Sequence, residues 1–329
     1  MKRGKIIVTG GAGFIGSALV WALNEKGADN IILVDRLGSD EKWKNLTPLR
    51  FGDYFEADDL FDVLEQREDY FGEVSTVFHL GACSATTEKD VAFLMRNNFE
   101  YTKCLADWTL RRRARFVYAS SAATYGDGSA GMDDQAPDLH RFRPLNPYGY
   151  SKHLFDVHAQ KIGKLKGMVG LKYFNVYGPN EDHKDDMRSL VNKAYDQIVE
   201  TGKVKLFKSY HPDYADGEQM RDFLYVKDAV EMTIHLANSP LAGGLFNVGS
   251  GNASTWVQLA TAIFAALGRQ PEIEFIEMPE ALKGKYQYYT CADITKLRKA
   301  KYEAAVTPLE SAVSDYVKNY LVPGKKLGE

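Results

Sequence analysis

Three features of the sequence predict a doubly wound α/β fold with a smaller α/β part woven into it. Short β-branched runs alternate with helical patterns through the first half of the chain, and the earliest of them leads into a glycine-rich turn. The strands Ile6-Ile7-Val8 and Ile31-Ile32-Leu33-Val34 are continuously apolar, as strands are when helices cover both faces of a parallel sheet. At 329 residues the chain also exceeds the roughly 250–300 at which one core stops growing, so a large unit with an appended part is expected.

Lys5–Thr9 reads as the first strand, Ser17–Gly27 as a helix and Asn30–Asp35 as the second strand. Thr76–His79, Asn98–Arg112 and Phe116–Ser120 repeat that order, which right-handed crossovers turn into a parallel sheet. Gly170–Phe174 adds a strand, after which aromatic, Gly, Pro and charged residues crowd Asn175–Asp186 and a polar stretch fills Tyr210–Gln219. Both read as loops bordering a site. Asp222–Val226 and Gly244–Gly249 return to strand, Thr255–Leu267 is an amphipathic helix, and Glu272–Met278 is a short extended piece before a basic, aromatic tail from Lys283.

With 45% hydrophobic and 26% charged residues and a formal net charge of −3, the composition excludes a disordered or collagen-like chain and gives no electrostatic footprint for nucleic acid. The basic cluster Arg111-Arg112-Arg113-Ala114-Arg115 falls at a helix end, where it complements the helix dipole. Cys83, Cys104 and Cys291 match neither a disulfide framework nor a metal spacing, and the histidines form no ligand group, so no metal is expected. Without an apolar run near the roughly 20 residues of a membrane span or a leader-like start, the chain reads as cytoplasmic.

Thr9-Gly10-Gly11-Ala12-Gly13-Phe14-Ile15-Gly16 lies directly between strand and helix. Gly10, Gly13 and Gly16 in this context allow a tight turn, close approach of backbone N–H groups to a pyrophosphate, and close helix–sheet packing. Asp35 ends the next strand, about 20 residues on, where a ribose hydroxyl is gripped in the Rossmann dinucleotide fold. Arg36, Lys42 and Lys44 follow it, and cations there suit a 2′-phosphate, which favours NADP over NAD. The pattern therefore divides the chain into a dinucleotide-binding part, residues 1–174 and 220–248, and a substrate part, residues 175–219 and 249–329.

After the strand ending at Ser120 come Ser121 and Tyr125, and then Tyr148-Gly149-Tyr150-Ser151-Lys152. Tyr148 and Lys152 share one helix face, and a nearby ammonium favours a phenolate that can act as general base. Ser121 can hydrogen-bond the same substrate oxygen, and Tyr125 reads as a wall of the site. Together these groups remove a proton from an alcohol while its carbon gives hydride to a nicotinamide.

Gly10–Gly16, Asp35, Ser121, Tyr148 and Lys152 together resemble the extended short-chain dehydrogenase/reductase superfamily, whose members act on nucleotide sugars. The resemblance spans nearly the whole chain. Leu80–Glu88, Asn97-Asn98, Tyr173–Pro179, His183-Lys184, Arg221-Asp222-Phe223 and Leu282–Gln287 narrow it to the epimerases that act on an ADP-activated heptose of lipopolysaccharide inner core. The resemblance implies a closed redox cycle in which bound NADP takes hydride from C6″, leaving a carbonyl, and returns it to the other face. Cofactor-contacting positions are then Phe14, Ile15, Asp35, Arg36, Lys42, Leu80, Gly81, Ala82, Cys83, Ser84, Asn97, Lys152 and Val176. Substrate-contacting ones are Ser84, Asn175, Lys184, Asp186, Lys193, Phe207, Arg221 and Tyr286. Tyr148 matches a first acid/base and Lys184 a second. A homo-oligomer is implied, with a pentamer among the options.

This sequence also departs from the family pattern. Ala57 stands where the family tends to carry a further lysine, and Asp186 and Lys193 fall where it uses other residue types. Three rivals share the machinery. A UDP-hexose 4-epimerase uses the same Ser121, Tyr148 and Lys152, a net dehydrogenase would consume added cofactor, and a cofactor-sensing binding protein would keep the fold without the chemistry. A 4,6-dehydratase needs an acidic pair where Ala122-Ala123 stand.

Overall fold

The computed structural model describes residues 4–66, 70–283 and 286–329. Gly284 and Lys285 of the Leu282–Gln287 motif, and Met1 to Arg3, lie outside the described residues. Seven strands form one parallel sheet: β1 (Lys5–Thr9), β2 (Ile31–Asp35), β3 (Asp53–Glu56), β4 (Val74–His79), β5 (Arg115–Ser121), β6 (Val169–Tyr173) and β10 (Gly244–Val248). Their spatial order is β10-β6-β5-β4-β1-β2-β3. The order reverses beside β1, and ligands bind at such a crevice outside the carboxyl ends of the strands.

Both faces of the sheet are covered. Ile6, Val8, Leu33 and Phe78 belong to one apolar cluster, and their chain neighbours Ile7, Ile32, Val34 and Val77 belong to another, which is why these strands carry no polar alternation. Helices α1 (Phe14–Glu25) and α7 (Val226–Asn238) pack together on the first face. Helices α2 (Leu60–Gln66), α4 (Tyr101–Arg111) and α5 (Pro147–Lys161) cover the second.

The sequence predicts one helix over Asn98–Arg112. The structure instead has α3 (Val91–Leu94), a π-helical turn over Met95–Glu100, and then α4. Helix α1 starts at Phe14, three residues before the predicted Ser17, so it rises directly from the glycine turn.

The rest of the chain builds the appended part. Strands β7 (Asn175–Tyr177), β9 (Met220–Tyr225) and β11 (Ala253–Thr255) form a three-stranded sheet, and β8 (Val204–Phe207) pairs with β12 (Ile273–Ile276). Helices α6 (Leu190–Thr201), α8 (Trp256–Ala266), α9 (Glu280–Lys283), α10 (Thr295–Lys299) and α11 (Leu309–Tyr316) complete it. Arg221, expected just before a strand, lies within β9. Among the described residues no helix is long and apolar enough to cross a membrane.

Candidate active site

The glycine turn is built for close approach. A Cβ on Gly16 would lie 1.9 Å from the Gly10 carbonyl oxygen, and one on Gly10, whose φ is +70°, would lie 2.6 Å from the Gly81 nitrogen. No side chain caps the start of α1. The N–H groups of Phe14 and Ile15 have no acceptor among the described residues, leaving donors at the positive helix end where a pyrophosphate can sit. Asp35 braces the turn: Oδ2 accepts from Ala12 N–H (2.8 Å) and Gly13 N–H (3.2 Å), and Oδ1 accepts from Arg36 N–H (2.8 Å) and forms an ion pair with Lys42 Nζ (3.2 Å).

Two adjoining cavities of about 390 and 300 Å³ form a groove over this turn. Gly10, Gly13, Phe14, Ile15 and Gly16 line it, as do Asp35, Lys42, the whole Leu80–Ser84 segment and Lys184. Arg36 and Asn97 line its far end beside Ala57. The Arg36 guanidinium there grips Asp58 with Nε at 3.0 and 3.1 Å, and donates through Nη1 to Asn97 Oδ1 at 2.7 Å. Asp58 thus supplies a carboxylate next to the position where the family tends to carry a lysine. These residues fit a nicotinamide dinucleotide, since the tight glycine turn leaves the Phe14 and Ile15 N–H groups open beside a groove lined by Asp35 and Lys42.

The catalytic corner stands at the ends of β5 and α5. Asn146 caps α5 by accepting from Gly149 N–H at 2.8 Å, and Pro147 opens its first turn. A Cβ on Gly149 would lie 2.8 Å from the Ala123 carbonyl, so the bare glycine lets the helix start press against the segment after Ser121. There the Ser121 hydroxyl lies near enough to the Tyr148 phenol to favour its charged form. Lys152 is buried and donates to the Ala119 carbonyl at 2.9 Å. Burial pushes its ammonium down to about 8, with Asp156 opposing.

Tyr148 is not lowered by a neighbouring ammonium: burial pushes its phenol above the ordinary value, and the Ser121 hydroxyl acts against that rise. Tyr125, expected as a wall, is fully buried and donates to Asn247 Oδ1 at 2.7 Å.

Behind the corner lies a network that sequence reasoning missed. Asp156, fully buried, accepts from Tyr118 (2.8 Å), Ser120 (2.7 Å) and Lys172 Nζ (2.9 Å). It locks α5 to β5 and β6. Its spacing of four from Lys152, continuing the step from Tyr148, is the signal that could have found it. Asn98, on the π-helical turn, accepts from Cys83 N–H (2.9 Å) and donates to the Cys83 carbonyl (3.0 Å) and Ser151 Oγ (3.0 Å), tying the groove wall to α5.

A larger cavity of about 540 Å³ opens beyond Met187, which lines both it and the groove. That volume is in the range of small-molecule sites. Asn175, Lys193, Phe207 and Tyr286 line it, and so does Val176, which the resemblance placed against the cofactor. Asp186 is exposed and lines none of these cavities, and its carbonyl accepts from Lys193 Nζ at 3.1 Å.

Arg221 is buried against two residues that line this cavity, with its guanidinium 5.0 Å from the Tyr286 ring and 5.7 Å from the Trp256 ring. Trp256, also missed, donates through Nε1 to Tyr286 Oη at 2.9 Å. Arg221 forms no ion pair with a carboxylate among the described residues, and it donates to the carbonyls of Met220 and Gln287. Lys184 sits on the turn Asp182–Met187, with Nζ 5.3 Å from the Phe14 ring centroid. Burial lowers its ammonium, and Glu181 opposes that shift.

A glycine cradle over a parallel sheet, coupled to a Ser, Tyr and Lys corner, defines a nicotinamide-dependent enzyme of the short-chain dehydrogenase/reductase type. Residues 6–249 match the model of the NAD dependent epimerase/dehydratase family. The chain belongs to that family and is an enzyme of its epimerase branch. It is 54% identical over 315 residues to the ADP-L-glycero-D-manno-heptose-6-epimerase of Nitratidesulfovibrio vulgaris (strain DP4), covering 96% of this chain and 97% of that one. The enzyme of that name from Fusobacterium nucleatum is 47% identical, with 96% and 98% covered. Among solved structures, the Helicobacter pylori ADP-L-glycero-D-manno-heptose-6-epimerase superposes with a TM-score of 0.78 at 28% identity, 96% of each chain covered. A Thermotoga maritima UDP-glucose 4-epimerase gives 0.78 at 25%, with 96% and 99% covered.

Proposed function

We propose that this enzyme converts ADP-D-glycero-D-manno-heptose into ADP-L-glycero-D-manno-heptose by inverting C6″, and that it serves lipopolysaccharide inner-core synthesis in the cytoplasm. The observation that carries the reading is that two separate proton-transfer candidates adjoin one groove. Lys184 lines it from the Asp182–Met187 turn. The Tyr148 corner adjoins it through Lys152, which is tethered to Ala119, itself a lining residue. A one-way dehydrogenase needs one such group. Inversion turns the carbonyl over, moves its oxygen, and requires a second group to meet it. The high identity to heptose epimerases, set against 25% to a UDP-glucose 4-epimerase, favours the heptose over a UDP-hexose.

The bound dinucleotide supplies one thing, a hydride acceptor that later gives the hydride back. Gly10, Gly13, Gly16 and the Phe14 and Ile15 N–H groups would hold its pyrophosphate, and Asp35 its adenosine ribose. Lys42 and Arg36 beside Asp35 suit the 2′-phosphate of NADP, which is our assignment over NAD. Tyr148, steadied by Ser121 and Lys152, takes the C6″ hydroxyl proton in one configuration. Lys184 gives a proton to the oxygen once the carbonyl has turned, and the roles exchange in reverse. Arg221, a buried cation without a carboxylate partner, holds the substrate diphosphate, and Tyr286, Phe207, Asn175 and Lys193 wall the nucleotide. Ser84 faces the sugar from the groove. For Asp186, we assign the contact to its backbone.

We assign residues 1–174 and 220–248 to dinucleotide binding and 175–219 and 249–329 to the substrate, with β9 shared between them, and we take the active form to be a homo-oligomer, with a pentamer as one form to test. The test of the function is incubation with ADP-D-glycero-D-manno-heptose, and separately UDP-glucose, without added dinucleotide. A mixture of C6″ epimers from the first and no change in the second are expected. Turnover of UDP-glucose instead, or a need for stoichiometric dinucleotide, would overturn the reading. Comparing dissociation constants for NADP and NAD settles the cofactor, and tighter NAD binding would reverse that assignment.

A further inference from the structure

Glu181 is fully buried and no step above uses it. Its carboxylate collects donors from both ends of the segment that carries Lys184. Oε1 accepts from Gly178 N–H (3.3 Å) and Ser189 Oγ–H (2.7 Å), and Oε2 accepts from Ser189 N–H (2.6 Å). Tyr316 of α11 donates a fourth bond to Oε1 at 3.2 Å. The Glu181 carbonyl also accepts from Lys184 N–H at 3.0 Å. Segment 178–189 is therefore closed on this one carboxylate, with Lys184 near its middle.

Asn180 pins the same segment to the dinucleotide part. Its backbone stands at φ +78°. Its amide donates to Ser17 Oγ of α1 (3.0 Å) and accepts from Leu327 N–H (3.0 Å), and its carbonyl accepts from Asn45 Nδ2 (3.1 Å). Lys184 is thereby carried over Phe14, the first residue of α1.

A carboxylate buried at this cost is normally paired with a cation. Glu181 has no ion pair among the described residues; it is held by neutral donors, and Lys184 is the cation whose field reaches it. The other charged groups around Lys184 are otherwise engaged. Asp182 is paired with Lys326, Asp35 with Lys42, and Asp185 and Asp186 are exposed. His183, Cys83 and Tyr173 complete the titratable neighbours along the groove.

We propose that Glu181 is a positioning residue for Lys184: its carboxylate fixes the segment around the lysine and stands as the negative charge behind the ammonium. This rests on Lys184 being the second proton-transfer group.

The experiment compares the full chain with Glu181→Gln and with the conservative Glu181→Asp. Lys184 is titrated by NMR on ¹³Cε-lysine-labelled protein, with the signal assigned through Lys184→Met. Glu181→Gln is expected to move the titration down by about one unit or more, and Glu181→Asp to move it less in the same direction. If the glutamine variant does not fold, the aspartate shift alone decides.

In parallel, single-turnover oxidation of each pure epimer is followed by the absorbance of reduced nicotinamide across pH. The glutamine variant should slow one epimer about tenfold, with its acid limb displaced to lower pH, and leave the other within about twofold. An unmoved Lys184 titration in folded variants, or an equal loss for both epimers, would overturn the proposal. If the parent enzyme oxidises neither epimer, the heptose reading fails, while the NMR titration still decides the role of Glu181.

Discussion

The dinucleotide groove and the substrate cavity meet at Met187 but are finished to different degrees. Around the dinucleotide turn the charged side chains hold one another and the backbone: Asp35 accepts from three backbone N–H groups and pairs with Lys42, and Arg36 holds Asp58 and Asn97. In the substrate part Arg221 lacks a carboxylate, and Lys184 Nζ has no hydrogen-bond acceptor among the described residues. The dinucleotide cradle braces its own carboxylate and guanidinium and leaves the Phe14 and Ile15 N–H groups open at the helix start. A substrate that must enter, turn over and depart is met by charges held ready and unpaired.

The largest effect should come where the two regions meet in chemistry. Tyr148→Phe removes a proton-transfer group and should lower epimerisation by about 10³-fold in both directions, while equilibrium dialysis finds dinucleotide binding unchanged. Equal loss of binding would show that Tyr148 belongs to the cradle.

Next is Lys172→Met, which strands the buried Asp156 carboxylate on the finished side. A loss of about 3–5 kcal/mol in urea unfolding is expected. A loss under about 1 kcal/mol would mean the network does not brace α5.

On the open side, Arg221→Lys keeps the charge but gives up the guanidinium geometry. KM for the nucleotide sugar should rise roughly ten- to a hundredfold, the equivalent of about 1.5–3 kcal/mol, with kcat and unfolding almost unchanged. A fall in kcat alone would move Arg221 from binding to chemistry.

The smallest effect is one of pH. Lys152 is held down to about 8 by burial, against an ordinary value of about 10.4. Between those values the folded protein binds fewer protons than the unfolded chain, so this group's contribution makes stability rise with pH across that window. Activity runs the other way. Lys152 is tethered to the Ala119 carbonyl at the groove, and loss of the cofactor-facing ammonium should lower the rate above about pH 8; a pH–rate profile flat to pH 10 would contradict that role.

The same contrast governs how much of the molecule was readable from sequence. The cradle is local: Gly10 to Gly16 and Asp35 lie within one strand–helix–strand unit, and their spacing carries their chemistry. Tyr148 and Lys152 share one helix turn, and the Asn146-Pro147 start places that helix. By contrast, Arg221, Trp256 and Tyr286 meet only because β9, α8 and the segment after α9 converge, and no spacing rule links them.

Helix α7 went unrecognised although Val226, Ala229, Val230, Thr233 and Ile234 are buried with helical periodicity. The apolar β9 run ahead of it read as a strand extending to Val226. Helix α6 and strand β8 were masked by polar neighbours. The direction of the Tyr148 shift was invisible for a different reason, since it depends on burial and on where the Lys152 ammonium points, and sequence spacing records neither.

The most direct test of a closed redox cycle shared by the two regions uses ADP-D-glycero-D-manno-heptose deuterated at C6″ and turned over in ordinary water. A closed cycle yields an L-epimer that keeps its deuterium at C6″, because the label leaves and returns as hydride without meeting solvent. Replacement of that deuterium by solvent hydrogen would mean that C6″ is inverted by carbon deprotonation, and would contradict it.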